Sequence, residues 1–139
     1  DKIYIRATYR MNNKYYPCVW ADGIRTDLLF DESANGGAGC RSMAVSGGKV
    51  YVSGYSITDN FNTGCYWVDG TRTALDVPAN MFSEGKSIGV FDGKVYVGGS
   101  YYDASYNDKP CYWFDGVRTD LDIPTGGEIA SINAIYISE

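Results

Sequence analysis

Histidine is absent from all 139 residues, and that omission removes Ser-His-Asp triads and most zinc or iron centres from consideration. A cationic excess is missing too. The 12 Lys and Arg stand against 17 Asp and Glu, for a net charge of −5. The basic residues are scattered rather than clustered, which points away from nucleic acid as a partner. No stretch approaches the roughly 18 to 20 apolar residues of a membrane-spanning helix. No linker or low-complexity segment divides the chain, so a single domain is expected. The sequence opens on Asp1 with neither a start methionine nor a signal sequence, and we expect processing or truncation to have removed whatever preceded it. Helical periodicity is also lacking, and what the chain has instead is repetition.

Laid against itself, the sequence shows three copies of one block, Cys-x-Trp-x-Asp-Gly-x-Arg-Thr-x-Leu, beginning at Cys18, Cys65 and Cys111. The first spacing is 47 positions and the second 46, so insertions between copies are confined to one or two residues. A second block runs in step with it as Lys2-Ile3-Tyr4-Ile5, Lys49-Val50-Tyr51-Val52 and Lys94-Val95-Tyr96-Val97. A third begins at Ser42, Ser87 and Ser131. Self-similarity at such a period marks a repeat architecture.

Each copy holds four short runs in which β-branched or aromatic residues alternate with others, the period-2 signature of half-buried strands. In the last complete copy these runs, A to D, cover 87–91, 94–100, 111–114 and 117–122. A joins B through Gly47-Gly48 or Asp92-Gly93, and C joins D through Asp22-Gly23, Asp69-Gly70 or Asp115-Gly116. Such dipeptides supply the positive φ angles of two-residue hairpins, so A pairs with B and C with D antiparallel.

A four-stranded unit of this length cannot bury both faces alone, and copies must stack. Here the sequence resembles the β-propeller repeat families, kelch-like and WD-like in architecture. Its Cys-x-Trp-x-Asp-Gly-x-Arg-Thr-x-Leu block is similar to repeats of bacterial cell-surface propellers. The resemblance covers the whole chain and implies an all-β fold, a β-propeller of four-stranded antiparallel blades with three blades per chain. It says little about activity, because propellers host many unrelated functions.

The blade units fall at about 1–41, which lacks its own inner strand, 42–86 and 87–130, with 131–139 the inner strand of a further blade. Three blades cannot close a ring. One solution is a homodimer in which each C-terminal strand completes the partner's first blade, giving six blades under two-fold symmetry. The rival is a piece of a longer propeller. A three-blade monomer would leave open strand edges and is disfavoured.

Trp20, Trp67 and Trp113 sit mid-strand, where burying about 200 Å² each contributes roughly 4 to 6 kcal/mol as an upper figure, the role of a core residue. Cys18, Cys65 and Cys111 occupy equivalent places in separate blades, cannot easily meet, and read as buried thiols acting as small hydrophobes. Cys40 departs from the repeat and is left as the one candidate reactive or pairing thiol. Arg25, Arg72 and Arg118 open strand D and are expected to bond a neighbouring Asp or a carbonyl.

The AB and CD turns are minimal, whereas the BC connections (8–16, 55–63 and 100–109) and the DA connections (30–41, 78–86 and 124–130) read as long loops on one face. They are rich in Tyr, Asn and Asp, an amphipathic and rigid surface suited to sugars or protein partners. Tyr9, Tyr15, Tyr16, Tyr55, Phe61, Tyr101, Tyr102 and Tyr106 are the candidate ligand-binding residues. Asp59 to Asn62 and Asp103 to Asp108 carry oxygens but match no calcium loop. Glu32, Glu84 and Glu128 belong to the DA connections, and nothing in their spacing selects a catalytic pair. No catalytic residue, metal site or cofactor is predicted. The leading expectation is a non-catalytic extracellular, periplasmic or cell-surface module that binds glycan or protein. A purely structural assembly module and a carbohydrate-active enzyme using loop carboxylates remain alternatives.

Overall fold

A computed structural model of the chain describes residues 1–32, 36–127 and 129–138. Among them every regular element is a strand, and the strands form three antiparallel sheets. The first holds β1 (Tyr4–Met11), β2 (Lys14–Ala21) and β3 (Ile24–Asp27) in the order β1-β2-β3. The second holds β4 (Ala38–Ser46), β5 (Lys49–Thr58), β6 (Phe61–Val68) and β7 (Thr71–Ala74), in chain order. The third holds β8 (Ser83–Phe91), β9 (Lys94–Tyr102), β10 (Asp108–Phe114) and β11 (Val117–Asp120), likewise in chain order. No sheet closes on itself.

The Asp-Gly turns explain why the block repeats. Asp22, Asp69 and Asp115 take φ of 48°, 47° and 45°, and the glycines after them 83°, 87° and 87°. Both residues of the turn therefore sit in the left-handed region that a two-residue hairpin demands. The aspartate then does a second job. Its Oδ1 accepts the backbone N–H of Ile3 (2.9 Å), Val50 (2.8 Å) or Val95 (2.9 Å), while its own N–H is donated to the carbonyl of that same residue. Each turn between strands C and D is thus tied to the start of strand B beside it.

The core lies between the sheets. One apolar slab sets Val19 and Leu28 of the first sheet against Ala38, Cys40, Val52, Cys65 and Trp67. The other sets Tyr51, Tyr66 and Leu75 of the second sheet against Ile88, Val95, Val97, Cys111 and Trp113. The junctions share a polar seam as well. Trp67 Nε1 donates to Leu29 O at 2.7 Å, and Leu29 N donates to Gly70 O at 3.0 Å. One repeat on, Trp113 Nε1 donates to Asp76 O at 2.8 Å, and Asp76 N donates to Gly116 O at 3.0 Å. One linker residue leaving a sheet therefore has both backbone groups bonded by the next sheet. Trp67 and Trp113 are fully buried, and so are Cys18, Cys65 and Cys111, as their places in the repeat suggest. Trp20, with no sheet before it, is only half-buried.

One expectation is corrected. The aromatic stretches 8–16 and 55–63 are not long loops. β1 runs into β2 through Asn12-Asn13 and β5 into β6 through Asp59-Asn60, all four with positive φ, so most of these residues are paired strand. Only 103–107 in the third sheet is a true loop. Residues 131–138, read from the repeat as a strand, belong to no sheet. No following strand B is present in the chain to satisfy their backbone. They instead lie against the third sheet, with Ile135 N donating to Ser87 Oγ at 2.9 Å. Ile132 packs beside Gly98, and Ile135 and Ile137 beside Gly89.

The turn aspartates give the fold an acid sensitivity that can be read at Asp115. The Val95 N–H bonded to its carboxylate, and Lys94 beside it, hold Asp115 below its ordinary value of 3.8. A carboxylate with a depressed folded value adds stability above its unfolded value and loses that contribution as pH falls through the folded one. The Asp115→Asn variant should therefore unfold more easily than the parent chain at neutral pH. The difference should shrink as pH falls below the ordinary carboxylate value and Asp115 takes up its proton, which urea titrations at several pH values would check.

Candidate functional site

A cleft of about 330 Å³ opens between the second and third sheets, at the end opposite the Asp-Gly turns. Asn62 of β6 contributes from one side, with Ser83, Glu84 and Lys86 of β8, Ser100 and Tyr102 of β9, Asp108 of β10, and Phe82 just before β8. Its volume falls at the lower end of the range for small-molecule pockets, about 300 to 1,000 Å³.

One wall is aromatic. Phe61 meets Phe82 edge-on at 5.4 Å between centroids, and Phe82 meets Tyr102 at 5.8 Å. Phe82 and Tyr102 keep 40% and 36% of their surface exposed, enough to present a ring face to a ligand. The facing groups are polar. Glu84 Oε1 accepts from Arg41 Nη2 at 2.9 Å and from Asn62 Nδ2 at 3.3 Å. Both bonds fall on one oxygen, and Oε2 has no protein donor among the described residues. Asp108 Oδ1 is a buried carboxylate oxygen with no hydrogen-bond partner, an arrangement that costs free energy until a donor arrives. Ser83 Oγ is already engaged by Gly64 N at 2.8 Å.

Two β-bulges position the charged side chains. Pairing between β4 and β5 slips between Cys40 and Ser42, and between β8 and β9 it slips between Gly85 and Ser87. The residues in the slips are Arg41, which reaches Glu84, and Lys86, which lines the cleft. Bulges commonly re-aim a side chain in this way. The bond to Glu84 pushes the Arg41 guanidinium above its ordinary value.

The junction between the first and second sheets has the same strand pairing and different side chains at the corresponding place. There Gly39 pairs with Tyr55, where the third sheet pairs Glu84 with Ser100. The Tyr55 ring lies over Gly39, 2.8 Å from where a Cβ would stand, and Arg41 lies over that ring at 5.1 Å. Tyr15 takes part of the remaining space by bridging to Gly37. Large residue on glycine fills one junction; small residue beside glutamate opens the other.

The candidate residues from the sequence divide between these places. Tyr102 lines the cleft and Phe61 backs it through Phe82. Tyr9 stacks on Tyr16 at 5.3 Å, and Tyr16 packs on Phe30 at 5.5 Å, forming a separate aromatic row on the first sheet. Tyr55 closes the first junction, and Tyr15 is exposed beneath Arg10. Tyr101 is buried, with its hydroxyl donated to Asp120 at 2.9 Å and Arg118 over its ring at 4.2 Å. Tyr106 is exposed on the loop 103–107. That loop is organised by Asp103, whose carboxylate accepts the N–H groups of Ser105 and Asn107 and pairs with Lys109. These bonds hold the Asp103 carboxylate below its ordinary range, the Asn107 N–H foremost. Arg25 and Arg118 pair with Asp27 and Asp120, while Arg72 Nε donates to Ser56 Oγ at 3.1 Å. Glu32 lies on the linker after β3, where its carbonyl accepts from Lys14, and Glu128 lies outside the described residues. Phe82, Lys86 and Ser100 were not singled out from the sequence, and Asn62 and Asp108 entered only as oxygens in stretches that match no calcium loop. The signal that could have found the cleft is the break in the repeat at Glu84 and Ser100. No cluster of three or more metal-ligating side chains occurs among the described residues.

An all-β chain of three stacked antiparallel sheets is the class these observations define. No family model matches the chain, and no curated protein matches it in sequence. Among solved structures it is similar to a fucose lectin from Kordia zhangzhouensis, determined in complex with methyl-fucoside. The two share 17% identity over 88% of this chain and 92% of that one, with a TM-score of 0.59. At that identity the likeness is one of fold.

Proposed function

We propose that the chain is a non-catalytic carbohydrate-binding module that holds a neutral sugar in the cleft between its second and third sheets. The observation that carries this reading is the pairing of an exposed aromatic wall, Phe82 and Tyr102, with unsatisfied acceptors on Glu84 and Asp108. A sugar ring offers the complement, an apolar C–H face for the rings and hydroxyl donors for the carboxylates. Glu84 and Asp108 are balanced by Arg41 and Lys86, so the cleft carries no net charge and suits a neutral sugar. The fucose lectin of similar fold adds support and makes methyl-fucoside a sensible first probe. Such a module belongs outside the cell or at its surface, where glycans are displayed. At the first junction the Tyr55 ring lies over Gly39 at the corresponding place, so this reading puts the sugar at the second junction.

Titration calorimetry with methyl-fucoside and a panel of neutral monosaccharides should show saturable binding to at least one of them. Tyr102→Ala and Glu84→Ala should each weaken that binding by about tenfold or more, equivalent to about 1.4 kcal/mol. Absence of binding across the panel, or binding indifferent to both substitutions, would sink the proposal. Turnover of aryl glycosides would replace it with a hydrolase reading.

For the architecture we propose a β-propeller, with these sheets as three blades and a second copy of the chain completing a six-bladed ring. The two ends are complementary. Trp20 stands where Trp67 and Trp113 stand, yet its Nε1 has no acceptor among the described residues. Gly23 faces open space, where Gly70 and Gly116 lie near backbone oxygens of the preceding sheet. At the other end Asp122 occupies the repeat position of Leu29 and Asp76, and Leu121 is 40% exposed where Leu28 and Leu75 are buried. Placing Asp122 of one copy on Trp20 and Gly23 of another would repeat the seam seen twice within the chain, under two-fold symmetry. Light scattering over a concentration series should give a dimer near twice 15.3 kDa. Trp20→Glu should shift it to monomer. A monomer at all concentrations, or open-ended aggregates, would contradict the ring.

A further inference from the structure

We propose that Cys18 and Cys40 are a redox pair that closes into a disulfide stapling the first sheet to the second. Cys18 lies on β2 and Cys40 on β4, in sheets that pack face to face. Both thiols donate to one oxygen, the carbonyl of Ala7, at 3.6 Å from Cys18 Sγ and 3.3 Å from Cys40 Sγ. Two sulfurs held on one oxygen at 3.6 and 3.3 Å lie at most about 7 Å apart, and both residues are buried in the same junction.

The repeat supplies independent support. Position 85 in the third sheet is the counterpart of position 40, in the same register slip of the strand, and it is glycine. A Cβ placed there would come within 3.3 Å of Ser53 and 3.4 Å of the carbonyl oxygen of Cys65, the counterpart of Cys18, both on the facing sheet. The backbone of this repeat therefore aims side chain 40 into the sheet that carries Cys18, and only at this junction does that side chain bear sulfur. Cys65 and Cys111 lack such a neighbour and keep the role of small apolar residues, with burial pushing both thiols up to about 12. Cys40 is 7% exposed and Cys18 is fully buried, so Cys40 is the sulfur that meets an external oxidant first.

With oxidised glutathione as that oxidant the chemistry balances. The Cys40 thiol loses its proton to solvent, and its sulfur attacks one glutathione sulfur. The glutathione S–S bond breaks, and one glutathione thiol leaves. The Cys18 thiol then loses its proton, its sulfur attacks Cys40 Sγ, and the second glutathione leaves as the Cys18–Cys40 bond forms. Two electrons have passed from the cysteines to glutathione. The staple closes a loop between two sheets, so it removes freedom from the unfolded chain as well as tying the junction.

The test is refolding of the whole chain in oxidised glutathione, followed by denaturation in N-ethylmaleimide and intact mass measurement. The expected product is a monomeric chain with two adducts in place of four. Its tryptic digest without reductant should contain peptide 15–25 linked to peptide 26–41. The oxidised chain should melt several degrees above the reduced one, and Cys40→Ser should abolish both the adduct loss and the melting difference. Four adducts on oxidised, folded chain would overturn the proposal. So would a link through Cys65 or Cys111, or a disulfide between chains. The mass map is made on the parent sequence, so it decides the question even if Cys40→Ser folds poorly.

Discussion

The indole N–H of a mid-strand tryptophan, given to the carbonyl of the linker that leaves the preceding sheet, fixes how one repeat sits on the next. Trp67 on Leu29 and Trp113 on Asp76 make this bond at 2.7 and 2.8 Å, each inside an apolar slab. The linker residue is held from both sides, because its N–H goes to the glycine of the next Asp-Gly turn. A fully buried indole is costly to leave without an acceptor for its N–H. The turn glycine and the tryptophan therefore have to be repeated together, and the chain repeats them together. With each sheet anchored at this seam, the opposite ends of the strands are free to vary, and the cleft is formed there.

That division of labour explains what the sequence disclosed. The Asp-Gly turns, the tryptophan and the apolar alternation are local signals repeated three times, so strand order and the buried place of Trp67 and Trp113 could be read directly. The aromatic stretches between strands B and C were misleading for an equally local reason. Tyr, Asn and Asp are common in loops, but Asn12-Asn13 and Asp59-Asn60 use the tolerance of Asn and Asp for positive φ to make two-residue turns. The tyrosines beside them are therefore strand residues, such as Tyr9 stacked on Tyr16.

The cleft was illegible because it depends on a difference between repeats rather than on a motif. Exchanging Gly39 and Tyr55 for Glu84 and Ser100 on the same paired backbone empties one junction and places a carboxylate in the gap. Neither residue stands out alone. Asp108 looked like one acid among several in a polar stretch, and only the packing of the sheets leaves one of its oxygens buried and without a donor. The nearness of Cys18 and Cys40 was hidden in the same way, since 22 positions of sequence separate residues that one carbonyl oxygen brings together.

The account stands on the tryptophan seam, and hydrogen exchange at the three indole N–H groups, followed by nuclear magnetic resonance on dilute monomeric chain, tests it most directly. Strong protection of Trp67 and Trp113 with rapid exchange at Trp20 is the predicted result, because only the first two have a linker carbonyl to bond. Rapid exchange at Trp67 or Trp113 in the folded chain would contradict it, for the sheets would then be stacked by something other than this bond.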